Sequence, residues 1–270
     1  MDELTVELLG PPCVAVGRAP LVVDTRKAVA VLALVVVGRE PSRETLATML
    51  WPDGDSAHAR GALRRTLSVL NAALGPHHPL RTERGCVTLD RAGTRVDVHR
   101  FEDLMASTGA HGHRLGAVCD DCIPALTEAV ALSRGEFLGG FLLRDAPDFD
   151  AWRASQAERL RRELTRALDR LTRATAETGD LDSAAAHLDR WLELDPLNEQ
   201  AVGRAMLLHA WRGERSEAAR RYRECVALLA HELGVAPLSQ TTRLYEAILG
   251  GRVASRPEPG GHQRDPVTVP

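Results

Sequence analysis

The stretch AHARGALRRTLSVLNAALG, Ala57 to Gly75, decides how the first third of this chain is read. At 100° per residue, Leu63, Leu67, Leu70 and Leu74 fall on one narrow face, the buried stripe of an amphipathic helix. Arg64, Arg65, Gly61 and Ser68 point away from that stripe, and Arg60 lies at its flank. A solvated outer face explains such a helix when it stands alone, so its neighbours have to say more. Upstream, LTVELLG, CVAV and PLVV read as short strands punctuated by Gly10-Pro11-Pro12 and Gly17. DTRKAVAVLALVVVG offers Asp24 or Thr25 as an N-cap and Gly38 as a stop, and its length and framing favour a helix over a buried strand. Ser42 opens a second short helix, SRETLATML, which ends at Trp51-Pro52. Downstream, LRTERGCVTLD reads as a β-hairpin bent at Arg84-Gly85. Three strands, three helices and a hairpin, in that order, are what a winged helix requires.

Beyond DRAGTR the pattern turns almost wholly helical, with FEDLMAS, PALTEAVALSRG and a long run from Phe149 to about Thr178. In that run Phe149, Trp152, Leu160, Leu164, Leu168 and Leu171 share a face. A 34-residue repeat follows. It relates Gly179 to Gly213, Ala184 to Ala218, Ala185 to Ala219, Leu188 to Tyr222 and Leu168 to Val202. Thirty-four residues is the tetratricopeptide period, with glycine at the turn and a small residue where paired helices cross closely. The second repeat runs out irregularly in HELGVAPLSQ before a last helix, TTRLYEAIL. The expected fold is therefore mainly α with a small α+β domain: an N-terminal winged helix at 1–95, then an all-α tetratricopeptide-like domain at 96–250. Residues 251–270, rich in Pro and Gly, read as a disordered tail or a truncated linker.

Composition narrows the function. A net charge of −3 argues against indiscriminate coating of nucleic acid, yet between Ser56 and Arg84 five arginines face one acid, Glu83. That is a local basic patch, and local charge is what steers and holds a polyanion. The N-terminus starts with acids where a secretory signal would be basic, and the most apolar run, Ala28 to Gly38, is shorter than the ~20 residues that span a bilayer. Five cysteines are an odd number for a disulfide framework, so reduced thiols and a cytoplasmic, nucleoid-associated location are expected. Phosphate-loop, Rossmann, zincin and nucleophile-elbow motifs are not found, and no enzymatic activity is expected.

HGHRLGAVCDDC carries His111, His113, Cys119 and Cys122, four ligands of the kind that close a tetrahedral structural zinc site. Two buried cysteines at a helix start, or a redox-sensitive pair, are the other readings of the same residues. No cofactor beyond this zinc is expected.

Several segments together resemble one family, the Streptomyces antibiotic regulatory proteins. Their members join a winged helix to a bacterial transcriptional activator domain, an effector arrangement like that of two-component regulators. The segments are DTRKAVAVLALVVVGREPSRETLATMLWPD, ALRRTLSVLNAALG, SRGEFLGGF, DFDAWRASQAERLRREL and LLAHELGVAPLSQTTRLYEAI. The resemblance implies an activator of transcription, commonly at secondary-metabolite (antibiotic) clusters. It implies binding to direct repeats of promoter DNA as a homodimer, and contact with RNA polymerase holoenzyme. It places Ala57–Gly75 as the recognition helix. Arg64 and Arg65 are then the base readers, and Arg60 and Ser68 hold the backbone. Arg26 and Lys27 match a basic pair expected to touch phosphate, and Arg81 and Arg84 lie on the wing. Asn71 departs from the arginine that many relatives carry, which puts phosphate contact there in doubt. Two alternatives are a tetratricopeptide-type scaffold without direct DNA readout, and the N-terminal regulatory part of a larger NTPase-containing regulator.

Overall fold

The computed structural model of the chain describes residues 3–22, 25–38, 40–75, 80–90, 92–111, 118–119 and 121–253. These group into two compact units, residues 1–110 with 128–163, and residues 111–127 with 164–270.

In the first unit, β1 (Leu4–Glu7), β2 (Cys13–Val16) and β3 (Ala19–Pro20) form an antiparallel meander. β1 shows the period of 2: Leu4 and Val6 are buried, and Thr5 and Glu7 are not. β3 is shorter than the sequence suggests. Pro20 offers no N–H to extend a ladder, and Val22 stands 81% exposed. Helix α1 (Arg26–Val37) begins at Thr25, whose hydroxyl accepts the Ala28 N–H, and ends at Gly38. Its residues Ala28 and Ala30 through Val36 are all buried, which is why the run has no polar period. Helix α2 (Arg43–Leu50) is capped by Ser42, and α3 (Ser56–Leu74) by Asp55, whose carboxylate accepts the His58 N–H. The leucine stripe of α3 is buried as expected: Leu63, Leu67, Leu70 and Leu74 lie in the core.

The hairpin is β4 (Leu80–Glu83) with β5 (Cys86–Leu89). Arg84 and Gly85 at its bend have φ of 50° and 84°, the left-handed pair of a type I′ turn. The segment before α2 pairs with it, since Val87 N–H donates to Pro41 O and Arg43 N–H to Gly85 O. A strand that the sequence pattern does not announce, β6 (Thr94–Val96), then returns to the first sheet and lies parallel to β1, giving the order β3-β2-β1-β6.

Helix α4 (Asp97–Gly109) starts at a buried acid. The Asp97 carboxylate accepts the N–H groups of Leu8, Leu9 and Val98 at 2.7–2.9 Å, fastening the end of β1 to the helix. After α5 (Cys122–Leu132), the segment SRGEFLGGF docks on that same end of β1. Arg134 N–H donates to Leu9 O, Leu138 N–H to Leu8 O and Gly139 N–H to Gly10 O. Gly10 has φ of 150°, and a Cβ there would lie 3.2 Å from Arg134 Cβ. Glycine is what permits so close a backbone approach. Helix α6 (Pro147–Thr178) follows. Phe149 packs edge-on to Phe141 at 6.0 Å and against Trp152 at 5.6 Å, with Phe137 on Trp152 at 5.8 Å.

The second unit continues with α7 (Leu181–Leu194), α8 (Glu199–Trp211), α9 (Arg215–Leu233) and α10 (Ser239–Leu249). Its core gathers Val202, Met206, Ala218, Cys225, Leu229 and Ile248. The 34-residue correspondence is visible in space. Gly179 and Gly213 both have positive φ, 91° and 79°, after a helix, and Ala184 and Ala218 are both fully buried. Gly234 in the left-handed conformation ends α9. Tyr222 stacks on Tyr245 at 4.1 Å, and the Glu199 carboxylate accepts from Leu238 N–H and Thr241 Oγ1, which ties α10 to α8.

Candidate nucleic-acid interface

Burying four leucines on one side of α3 fixes what the other side presents. Arg60, Arg64, Arg65 and Ser68 are all exposed on it, with Ala57 and Val69 beside them. No ion pair holds Arg60, Arg64 or Arg65 among the described residues. The arginines of the helical region contrast with this. Arg100 pairs with Glu128, Arg159 with Glu102, Arg204 with Asp169 and Arg212 with Asp182. The unpaired guanidinium groups of α3 are therefore a feature of this surface within an acidic chain. Gly61 differs from its expected outward position: it is buried, because Arg65 reaches back one turn. Its Nη1 lies 3.6 Å from where a Gly61 Cβ would be.

The hairpin sets a second basic edge. Arg81 and Arg84 are exposed, and the hairpin is anchored to α2 and α3. Arg43 Nη1 donates to Thr82 Oγ1 at 3.1 Å. Asn71, at the far end of α3, binds both backbone groups of Leu80. Its Oδ1 accepts the Leu80 N–H at 2.7 Å, and its Nδ2 donates to Leu80 O at 3.2 Å. An amide, acceptor and donor together, continues the β-ladder where an arginine has only donors. Asn71 is thus an anchor of the hairpin, a role that sequence reasoning misses. The signal available to it is a side-chain amide nine residues before the first strand residue.

Arg26, which stays exposed, and half-buried Lys27 both have partners within the unit. Arg26 Nε donates to Leu142 O at 3.2 Å, and its guanidinium lies 4.5 Å over the Phe141 ring. Lys27 Nζ pairs with Asp145 at 2.7 Å and lies over Trp51 at 5.0 Å, holding the Asp145 carboxyl below its ordinary value. Both side chains fasten α1 to the segment after SRGEFLGGF.

Of the four expected metal ligands, the structure brings three together. His111 Nδ1 lies 3.3 Å from Cys119 Sγ and 3.5 Å from Cys122 Sγ, and the two sulfurs are 3.4 Å apart. His113 lies outside the described residues. Hydrogen bonding from His111 holds the Cys119 thiol below its usual range, while burial pushes the Cys122 thiol up.

Among the described residues no helix is long and apolar enough to cross a membrane. A winged helix with an unpaired basic helix face, joined to an all-α repeat domain, is the class that fold and surface define. The model of the family described as the bacterial transcriptional activator domain matches residues 96–249, over half the chain, and the chain belongs to that family. In structure it is similar to Mycobacterium tuberculosis EmbR, solved in complex with a low-affinity phosphopeptide. The identity is 23% and the TM-score 0.74, with 94% of this chain and 67% of that chain covered. No curated protein matches in sequence. The likeness to EmbR establishes the fold. The family match bears out the resemblance to the Streptomyces antibiotic regulatory proteins, and the chain is a transcription regulator of that type.

Proposed function

We propose that the chain is a sequence-specific DNA-binding activator whose α3 lies in the major groove. The observation that carries this reading is the set of unpaired guanidinium groups on the outer face of a helix whose inner face is wholly buried. Arg64 and Arg65 offer guanidinium forks to guanine O6 and N7, and Arg60 and Ser68 flank them for phosphate. Arg81 and Arg84 carry the hairpin toward the adjacent minor groove. Arg26, exposed at the start of α1, and Lys27 beside it are assigned to phosphate. The family supports the finer expectations: direct-repeat sites, a homodimer on DNA, contact with RNA polymerase holoenzyme, and promoters of secondary-metabolite clusters.

Selection of bound duplexes from random sequence, followed by gel-shift titration at several salt concentrations, tests this. A recurring motif as a spaced direct repeat is expected. Affinity should fall with salt, each phosphate contact adding about 0.9 to the slope. Binding without any recovered motif overturns sequence-specific readout.

A further inference from the structure

We infer that His111, Cys119 and Cys122 bind one zinc ion at the start of α5. The three donor atoms form a nearly equilateral triangle, with edges of 3.3, 3.4 and 3.5 Å. Zinc–sulfur and zinc–nitrogen bonds of about 2.3 and 2.0–2.1 Å in a tetrahedron give edges of roughly 3.6–3.8 Å, so an ion enters with shifts of a few tenths of an ångström. No other group of three or more His, Cys, Asp or Glu side chains among the described residues converges in this way.

The backbone helps hold the two thiols together: the Cys122 N–H donates to Cys119 O at 2.9 Å, and the two sulfurs lie 3.4 Å apart. Cys122 is fully buried at the helix start, Cys119 half-buried and His111 exposed, so the ion has a fixed floor and an open approach. A disulfide needs only the two sulfurs. The imidazole nitrogen aimed at both of them is what selects metal.

Binding is a ligand exchange without redox change. Zn²⁺ takes two thiolates and one neutral imidazole nitrogen, and the two thiol protons leave to solvent. The three protein ligands carry the proposal, and the fourth vertex is left open in it. The site ties His111, just past the end of α4, to the first turn of α5, and its expected effect is to stabilise that connection.

Full-length protein purified without chelator is expected to contain one zinc per chain by elemental analysis. After removal of zinc, Co²⁺ should give sulfur-to-metal charge-transfer bands with the intensity of two thiolates, and strong tetrahedral d–d bands. Cys119→Ser should halve the charge-transfer intensity. His111→Ala should keep it and weaken Zn²⁺ binding by more than the ~10–100-fold typical of outer-shell changes. The cobalt spectrum of the wild-type chain needs no variant to fold. Metal-free protein whose Co²⁺ spectrum lacks thiolate bands overturns the inference. So does a Cys119–Cys122 disulfide in the protein as purified under reducing lysis.

Discussion

Asn71→Ala removes a side chain that joins the far end of α3 to the start of the hairpin. The structure gives it two hydrogen bonds, to the N–H and the O of Leu80. Leu80 is 7% exposed, so water replaces these partners poorly. At about 0.5–1.5 kcal/mol net per bond, the pair contributes about 1–3 kcal/mol. That energy is local to the hairpin base. Hydrogen exchange at the Leu80 amide should therefore accelerate by about 5–150-fold, since 1.4 kcal/mol is a factor of ten. In thermal unfolding the same change lowers the midpoint by roughly 2–4 °C per kcal/mol for a unit of 150–250 residues. Asn71→Asp keeps an acceptor for Leu80 N–H but turns a carboxylate oxygen toward Leu80 O, so it should not rescue. Unchanged Leu80 exchange in Asn71→Ala, measured by two-dimensional NMR, refutes the reasoning.

Three further perturbations test the first unit and the repeat core. Asp97→Asn swaps one of two acceptor oxygens for a donor facing three backbone N–H groups, and should cost about 1–3 kcal/mol in urea unfolding. Burial raises the Asp97 pKa against the pull of those N–H groups and Arg134. The native state then holds the proton more tightly than the unfolded chain. The group's contribution to stability falls as pH rises from the unfolded value, near 3.8, through the folded one, and Asp97→Asn should abolish that slope. Gly10→Ala forces a side chain onto φ of 150° and within 3.2 Å of Arg134 Cβ, and should destabilise by about 1–3 kcal/mol in the same assay. Burial pushes the Cys225 thiol up to about 11. At pH 8 only about one molecule in a thousand is thiolate, and iodoacetamide should label exposed Cys13 well before Cys225 in native protein.

What the sequence makes legible are features with a local signal. The leucine stripe of α3, the helix starts at Thr25 and Ser42, and the Arg84-Gly85 bend each depend on residues within a few positions of one another. Features that escape it depend on distant partners. β6 is three residues long, too short for a period to show, and it exists because β1, some 90 positions earlier, leaves an edge to pair with. Arg26 and Lys27 look like free cations until the segment at 140–145 is brought beside them. Gly61 sits on the outer arc of α3 by angle, yet it is buried by a neighbour's folded-back guanidinium, which the helical wheel does not draw. The arginine face itself is readable. That its charges stay unpaired is not, because that depends on where every carboxylate in the unit falls.

Binding of the Arg64→Ala/Arg65→Ala double variant to the selected duplex, beside the wild-type chain, tests the central claim most directly. Circular dichroism should show an intact fold, because both side chains lie outside the core. Removing each guanidinium fork from its base should erase about 1–3 kcal/mol of discrimination between the selected site and random DNA, leaving weak, salt-sensitive, sequence-indifferent binding. A folded double variant that keeps wild-type affinity and selectivity would contradict the account.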